Sequence, residues 1–359
     1  MSSLFNRLTE RLAQSEWIQQ YSEFLLTEID PLLSRQKQMA RVVRIQDETA
    51  DTKTFFLQPH RAFPSFQAGQ HVPVHWESQG VRHRRYYSLT CSPEQYASTG
   101  LLSFTIKLQP GGRVSPELHY QLRINTRVEL GQPSGAFVLP TGDKPLLFLA
   151  AGSGITPFLS MLESPATLYR DIVLLHYANT EADLICRKRL QQLDSERDHF
   201  TYLPMASNQT GQICLKHLQG NVTERLWLLC GPLPFMQKAR ELADELGVPA
   251  DHRFQESFGG AVTRPTASFN ATGKEAAQVV FEQSQLSTTG TSGASLLEIA
   301  EHAGLRPKAG CRAGICHECK CEKRAGRVRN RLTGQEFGEE LSFIQPCIYE
   351  PVGEVRLAL

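Results

Sequence analysis

Residues 308–319 read KAGCRAGICHEC, and a further cysteine follows a proline at Pro346-Cys347. Cys311, Cys316 and Cys319 are thus spaced C-x4-C-x2-C. At that spacing a short loop supplies three thiolates to a plant-type [2Fe-2S] cluster and a distant segment, here Cys347, supplies the fourth. Structural zinc is the competing reading of four cysteines, but such sites usually come as two CxxC pairs. Gly310 and Gly314 stand where a tight loop needs backbone freedom to turn its amides toward sulfur. Cys321 is a competing ligand that falls outside the spacing and reads as a bystander thiol. Cys91, Cys186, Cys214 and Cys230 are scattered and read as small buried hydrophobes. The first thirty residues carry no signal-peptide pattern and no apolar run approaches bilayer length, so the chain is expected in the cytoplasm, where clustered cysteines point to metal or catalysis before disulfides.

Around this loop the segment 276–359 opens with a strand, QVVFEQ, and continues through a Gly/Ser/Thr turn and a helix, ASLLEIAEHAG. Residues 306–331 hold nine Arg or Lys against Glu318 and Glu322. Such a stretch either favours an acidic partner or an anionic membrane surface, or offsets the negative charge of the cluster itself. Residues 259–275 are rich in Gly, Thr and Ser and read as a linker.

Upstream, residues 38–141 hold short β-prone segments (MARVVRI, TKTFFLQ, HVPVHW, RYYSLT, LLSFTIKL, TRVEL) separated by turn residues, which predicts an antiparallel β-barrel. Over 142–258 the strands PLLFLAAG, DIVLLHYA and RLWLLCG are nearly continuous apolar runs. Helices predicted at 157–163, 181–193 and 233–246 alternate with them, the pattern of a doubly wound α/β domain. Residues 1–37 place Leu4, Leu8, Leu12, Trp17, Tyr21, Leu25, Ile29 and Leu32 near helical spacing. They read as a helical extension, either a cap on the next domain or a docking element for a membrane surface or partner. The 359 residues therefore fit several domains, and 38 basic against 37 acidic side chains give no field that would mark a nucleic-acid binder.

In RRYYSLTCSP, Arg85 offers a guanidinium for a phosphate, Tyr86 and Tyr87 offer aromatic rings, and Ser88 offers a hydroxyl for a polar edge. Tyrosines packing the barrel's own core are the plain alternative. After the strand PLLFLA, Gly152 and Gly154 in AGSGITP stand at a strand-to-helix turn suited to a pyrophosphate. Thr156 and Pro157 complete that turn, although Pro157 departs from the usual dinucleotide fingerprint.

Taken together, these segments resemble the ferredoxin-reductase flavoproteins fused to a C-terminal β-grasp ferredoxin domain. Arg85, Tyr87 and Ser88 match their R-x-Y-S signature, and Gly111-Gly112-Arg113-Val114-Ser115 resembles their flavin-pyrophosphate turn. The G-x-G-x-x-P variant is the one these reductases show. Cys230-Gly231-Pro232 resembles their segment beside the nicotinamide, and Glu256 and Phe258 in QESFGG resemble an ending that sets an acid and a ring near the flavin. The resemblance implies FAD, a [2Fe-2S] cluster and NAD(P)H as donor, with Ser88, Cys230 and Glu256 nearest the reacting atoms. It implies hydride transfer to the flavin and single-electron delivery through the cluster.

Coenzyme choice stays open: no acidic residue stands at the immediate end of the strand DIVLLHYA, and Arg187, Lys188 and Arg189 in the next helix could meet a 2′-phosphate or form a solvated face. The segment GRVRNRLTGQEF and the N-terminal helices resemble reductases that feed membrane di-iron fatty-acid desaturases and hydroxylases, which makes such an enzyme the leading acceptor. On that reading the basic stretch or the N-terminal helices would touch the inner membrane face peripherally. The alternatives are the reductase of a soluble ring-hydroxylating (Rieske or multicomponent) oxygenase and a redox sensor.

Overall fold

The computed structural model describes residues 37–60, 63–78, 81–112, 114–218, 220–257, 276–291, 293–309, 314, 319–331 and 334–359. The expected N-terminal helices, the linker, and the residues Arg113, Phe258, Cys311 and Cys316 lie outside the described residues. By internal packing the chain divides into two compact units, Met1–Leu229 with Ala243–Gln255, and Cys230–Leu242 with Glu256–Leu359.

The first sheet is antiparallel. It comprises β1 (Gln38–Thr49), β2 (Thr52–Pro59), β3 (His71–Ser78), β4 (Val81–Ser88), β5 (Leu102–Lys107) and β6 (Arg127–Leu130), in the order β4-β3-β6-β1-β2-β5. Its edges meet: Leu89, just past β4, bridges Phe104 of β5, and Thr90 N–H donates to the Ser103 carbonyl at 2.8 Å. The barrel closes there, which removes the free edges of an open sheet. Alternate residues fill it, with Phe55, Leu57, Val72, Val74, Leu102, Phe104 and Ile106 fully buried. Helix α1 (Pro93–Thr99) starts on a Ser92–Gln95 capping box, and α2 (Ser115–Gln121) lays the buried Leu118 on the barrel core.

The second sheet follows the doubly wound expectation. It contains β7 (Leu146–Ala151), β8 (Ile172–Ala178), β9 (Phe200–Ala206), β10 (Leu226–Gly231) and β11 (Arg253–Ser257), in the order β11-β10-β7-β8-β9. Every residue of β7 and β10 is buried, as their unbroken apolar runs require. Its helices are α3 (Thr156–Leu162), α4 (Arg187–Glu196) and α5 (Leu233–Glu245).

Two features depart from the sequence reading. Strand β9 carries Pro204 and exposed Thr201 and Leu203, so its pattern hides it; it lies at the sheet edge, where a missing N–H costs nothing. The helix predicted from 181 begins only at Arg187. Thr180 and Asp183 close a capping box around a single turn, and Cys186 at φ 55 breaks the helical path.

The C-terminal sheet joins β12 (Ala276–Phe281), β13 (Leu286–Thr291), β14 (Cys321–Asn330), β15 (Glu336–Phe337), β16 (Ser342–Ile344) and β17 (Tyr349–Leu357). β12 runs parallel to β17 and antiparallel to β13, β17 is antiparallel to β14, and helix α6 (Leu296–His302) packs on the sheet through Leu296, Ile299 and Ala300. A helix lying across a mixed sheet whose first and last strands pair in parallel is the β-grasp arrangement.

Candidate cofactor sites

The flavin segment runs along β4. Ser88 is 2% exposed, and its hydroxyl has no hydrogen-bond partner among the described residues. A buried hydroxyl left unsatisfied costs on the order of 1–3 kcal/mol, so a ligand acceptor at that point fits. Tyr87 stacks on Phe104 with ring centroids 5.6 Å apart, and burial pushes its phenol well up, with Arg85 opposing. The barrel core therefore takes one face of Tyr87. Tyr86 sets its ring edge-on to His71 at 5.3 Å, and Arg85 Nη1 donates to the Arg84 carbonyl at 2.8 Å. Downstream, Gly111 and Gly112 precede the buried Val114, and the Ser115 hydroxyl accepts from Gln109 N–H at 3.0 Å, fixing the turn that enters α2.

The nucleotide turn follows β7. Gly152 has φ +54 and nothing within 4 Å of where a Cβ would stand, so the backbone conformation needs glycine and the surface above it is open. Gly154 is buried, the Thr156 hydroxyl donates to the Ser153 carbonyl at 2.9 Å, and Pro157 opens α3. One residue absent from the sequence reading ties this turn to the flavin strand: the buried Ser160 hydroxyl of α3 donates to the Cys91 carbonyl at 2.7 Å. Its partner is 69 positions away. No local pattern could have signalled it.

Cys230, fully buried at the end of β10, precedes Gly231, Pro232 and α5, and the Met236 N–H donates back to the Pro232 carbonyl at 3.0 Å. Burial raises its thiol pKa well above the usual range, and the charge of Glu256 adds to that. Glu256 is itself only 8% exposed on β11, so the two form a buried acid–thiol pair.

At the cluster loop, Cys319 and Cys347 bring their sulfurs to 3.2 Å, walled by Leu297 and Ile348. Gly314 has φ +74, and a Cβ there would stand 2.6 Å from Ile348 Cδ1. Its carbonyl accepts from Gln345 Nε2 at 3.0 Å. Two buried soft sulfurs this close together suit iron. Cys321 packs instead with Val279, Phe281 and Ile344; burial, helped by Cys319, pushes its thiol up to about 12.

Part of the basic stretch around this loop is paired with carboxylates of other elements. Arg324 pairs with Glu282 at 2.8 Å, Arg329 with Glu336 at 2.7 Å and Glu350 at 3.1 Å, and Arg331 with Glu298 at 3.2 Å. Lys323 is fully buried, its ammonium donating to the carbonyls of Gly326, Gly338 and Glu340 at 2.9, 2.8 and 2.6 Å. Arg306, Lys308 and Lys320 remain at the surface or beside Phe343. No helix among the described residues is long and apolar enough to cross a membrane.

Three family descriptions match successive parts of the chain: an oxidoreductase FAD-binding domain over 39–139, an oxidoreductase NAD-binding domain over 148–241, and a 2Fe-2S iron-sulfur cluster binding domain over 280–349. An NADPH oxidoreductase of Mycobacterium tuberculosis is 32% identical, the alignment covering 91% of this chain and 86% of that one. The glycine betaine monooxygenase reductase subunit of Pseudomonas aeruginosa is 29% identical over 89% and 94%. Among solved structures, phthalate dioxygenase reductase, described as a modular structure for electron transfer from pyridine nucleotides to [2Fe-2S], superposes with TM-score 0.65 at 21% identity, covering 93% of this chain and 99% of that one.

Proposed function

The chain belongs to the oxidoreductases that join an FAD-binding, an NAD-binding and a 2Fe-2S domain in one polypeptide, and from that premise we propose that it delivers single electrons from NAD(P)H to an oxygenase component. In this reading residues 38–141 form the flavin domain, 142–258 the nicotinamide domain, 259–275 the linker and 276–359 the ferredoxin domain. Bound flavin, nicotinamide and iron supply the redox chemistry, coupling a two-electron donor to one-electron carriers.

The protein's part is placement. Arg85 and the Gly111–Ser115 turn hold the flavin's phosphates, and Ser88 donates its spare hydroxyl to the flavin's polar edge. Tyr86 or Tyr87 lines the ring system. Gly152, Gly154, Thr156 and Pro157 receive the coenzyme pyrophosphate. Cys230, Gly231, Pro232, Glu256 and Phe258 border the nicotinamide and flavin, while Cys311, Cys316, Cys319 and Cys347 ligate the iron.

The observation that carries this reading is the meeting of Cys319 and Cys347 sulfurs at 3.2 Å in a chain that also holds both hydride-handling domains. The oxygenase partner is argued from the relatives, one named a monooxygenase reductase subunit and one a dioxygenase reductase. The fatty-acid desaturase expectation rested on the N-terminal helices, which lie outside the described residues, and on residues 326–337. There Arg329 and Glu336 form an ion pair and Val328 faces Phe337 across β14 and β15, so those side chains answer to the module's own stability.

The test is to mix the purified, flavin- and iron-loaded chain anaerobically with NADH or NADPH and, separately, a Rieske-type oxygenase component or a di-iron desaturase in lipid vesicles. Reduction of the oxygenase component, followed by its spectrum, is expected. Reduction of the desaturase alone would overturn the partner assignment.

A further inference from the structure

The chain just past β8 lies beside the nucleotide turn at Gly152, since Ala151 of β7 pairs with Tyr177 of β8. In such domains the group that reads the adenosine ribose stands just past the second strand: a carboxylate for a 2′-hydroxyl, a cation for a 2′-phosphate. Here that place holds Glu181 and Asp183. Asp183 accepts from the Thr180 N–H and hydroxyl at 3.0 and 2.7 Å, which locks the turn. Arg187, six positions on, folds back so that its Nη1 lies 2.7 Å from Glu181 Oε2.

Two of the remaining cations are engaged elsewhere. Arg189 pairs with Glu163 at 2.9 Å, and Lys216 in a neighbouring turn has an interaction of its own. Lys188 is exposed on α4, with no ion pair among the described residues, and is the one nearby cation left to meet a phosphate there. The Tyr202 hydroxyl, on the adjacent strand, is held by His176 Nδ1 at 3.3 Å. A phosphate dianion arriving here would meet two carboxylates and one arginine that is already paired, whereas a ribose hydroxyl would find a ready acceptor in Glu181.

We propose that the Glu181–Arg187 pair makes this chain selective for NADH, with Glu181 both accepting the ribose 2′-hydroxyl and withholding Arg187 from a 2′-phosphate. Like-charge contact with the phosphate provides the exclusion. The pair is a surface ion pair, cheap to break. Arg187 is therefore primed to change role: its Nε is a buried donor that Glu181 leaves unfilled.

The inference rests on the nicotinamide-domain reading above, and the experiment separates the two. Calorimetric titration of the full flavin-loaded chain with ADP-ribose and with 2′-phospho-ADP-ribose requires no electron transfer. ADP-ribose is expected to bind at least ~10-fold more tightly, given the cost of a like-charge contact. Glu181→Gln should shift the ratio toward the phosphorylated ligand by ~10-fold or more, and adding Arg187→Ala to Glu181→Gln should remove that gain. Tighter binding of the phosphorylated ligand by the unmodified chain, or a ratio that Glu181→Gln leaves unchanged, overturns the selectivity proposal alone. Failure of both ligands to bind overturns the nicotinamide-domain reading with it. The same ranking is expected when the two reduced coenzymes are compared for the rate of flavin bleaching.

Discussion

Cys319 and Cys347 are 28 positions apart in the chain, yet their sulfurs stand 3.2 Å from each other inside an apolar wall. A disulfide would need about 2.05 Å, so the two stand as free thiols close enough to share a metal. Replacing Cys347 by Ser should therefore remove iron binding and delivery to a protein acceptor, while NAD(P)H oxidation with an artificial dye that takes electrons from the flavin continues. Iron content and the two activities, measured side by side, check this; equal loss of both activities would contradict the division between flavin and cluster.

Ser88 carries a buried hydroxyl with no protein partner. Because no described residue bonds to it, Ser88→Ala should leave unfolding of the flavin-free chain unmoved or slightly raised. Flavin affinity should fall by roughly 1 kcal/mol, about fivefold. Fluorescence titration with FAD reads the second effect and thermal unfolding the first. A drop in flavin-free stability would show instead that the hydroxyl serves the barrel.

Lys323 is the ferredoxin module's buried tie, one ammonium satisfying three carbonyls. Lys323→Met keeps the length of the stem and leaves three buried acceptors without donors, at a cost of ~3 kcal/mol. The segment 334–341, which supplies two of those carbonyls, should then exchange its amide hydrogens much faster. Unchanged exchange in that segment would contradict the role.

Glu298 gives the module an acid dependence. Burial alone would raise its pKa, but the N–H and hydroxyl of Ser295 and the charge of Arg331 outweigh burial and hold it below the usual carboxylate value. A depressed folded-state pKa means stability that is present above the unfolded value and lost as pH falls through the folded one. Glu298→Gln should therefore be less stable than the parent near neutrality and converge with it in acid. Circular dichroism of the iron-free chain between neutral and strongly acidic pH tests this, and a gap that persists at the acid end would refute it.

Local chemistry made much of the protein readable in one dimension. The C-x4-C-x2-C spacing of Cys311, Cys316 and Cys319 is a short-range pattern in the sequence, glycine at 152 is set by a backbone conformation other residues resist, and the apolar run of β7 by burial on both faces. Such constraints act within a dozen residues and so leave a mark in the order of the letters. The open edge strand β9 left none, because half of its residues face water and Pro204 breaks the pattern.

Charge was the property that order alone left undivided between surface and interior. Nine basic residues over 306–331 read either as a docking face or as an offset to the cluster's charge; among the described residues Arg324, Arg329 and Arg331 find Glu282, Glu336, Glu350 and Glu298, and Lys323 turns inward, while Arg306, Lys308 and Lys320 stay exposed. Coulombic partners need only be near in space, and a β-grasp sheet brings β12, α6 and β17 against β14 from positions far along the chain. Glu181 and Arg187 are only six residues apart, yet their pairing too required the fold, since a helix predicted through 181–193 would not have turned Arg187 back onto the end of β8. Thus sequence alone determined which chemistries the chain carries, through short-range spacing, while the tertiary structure decided which of its charges and hydroxyls remain free to meet a ligand, because that depends on what lies within a few ångströms.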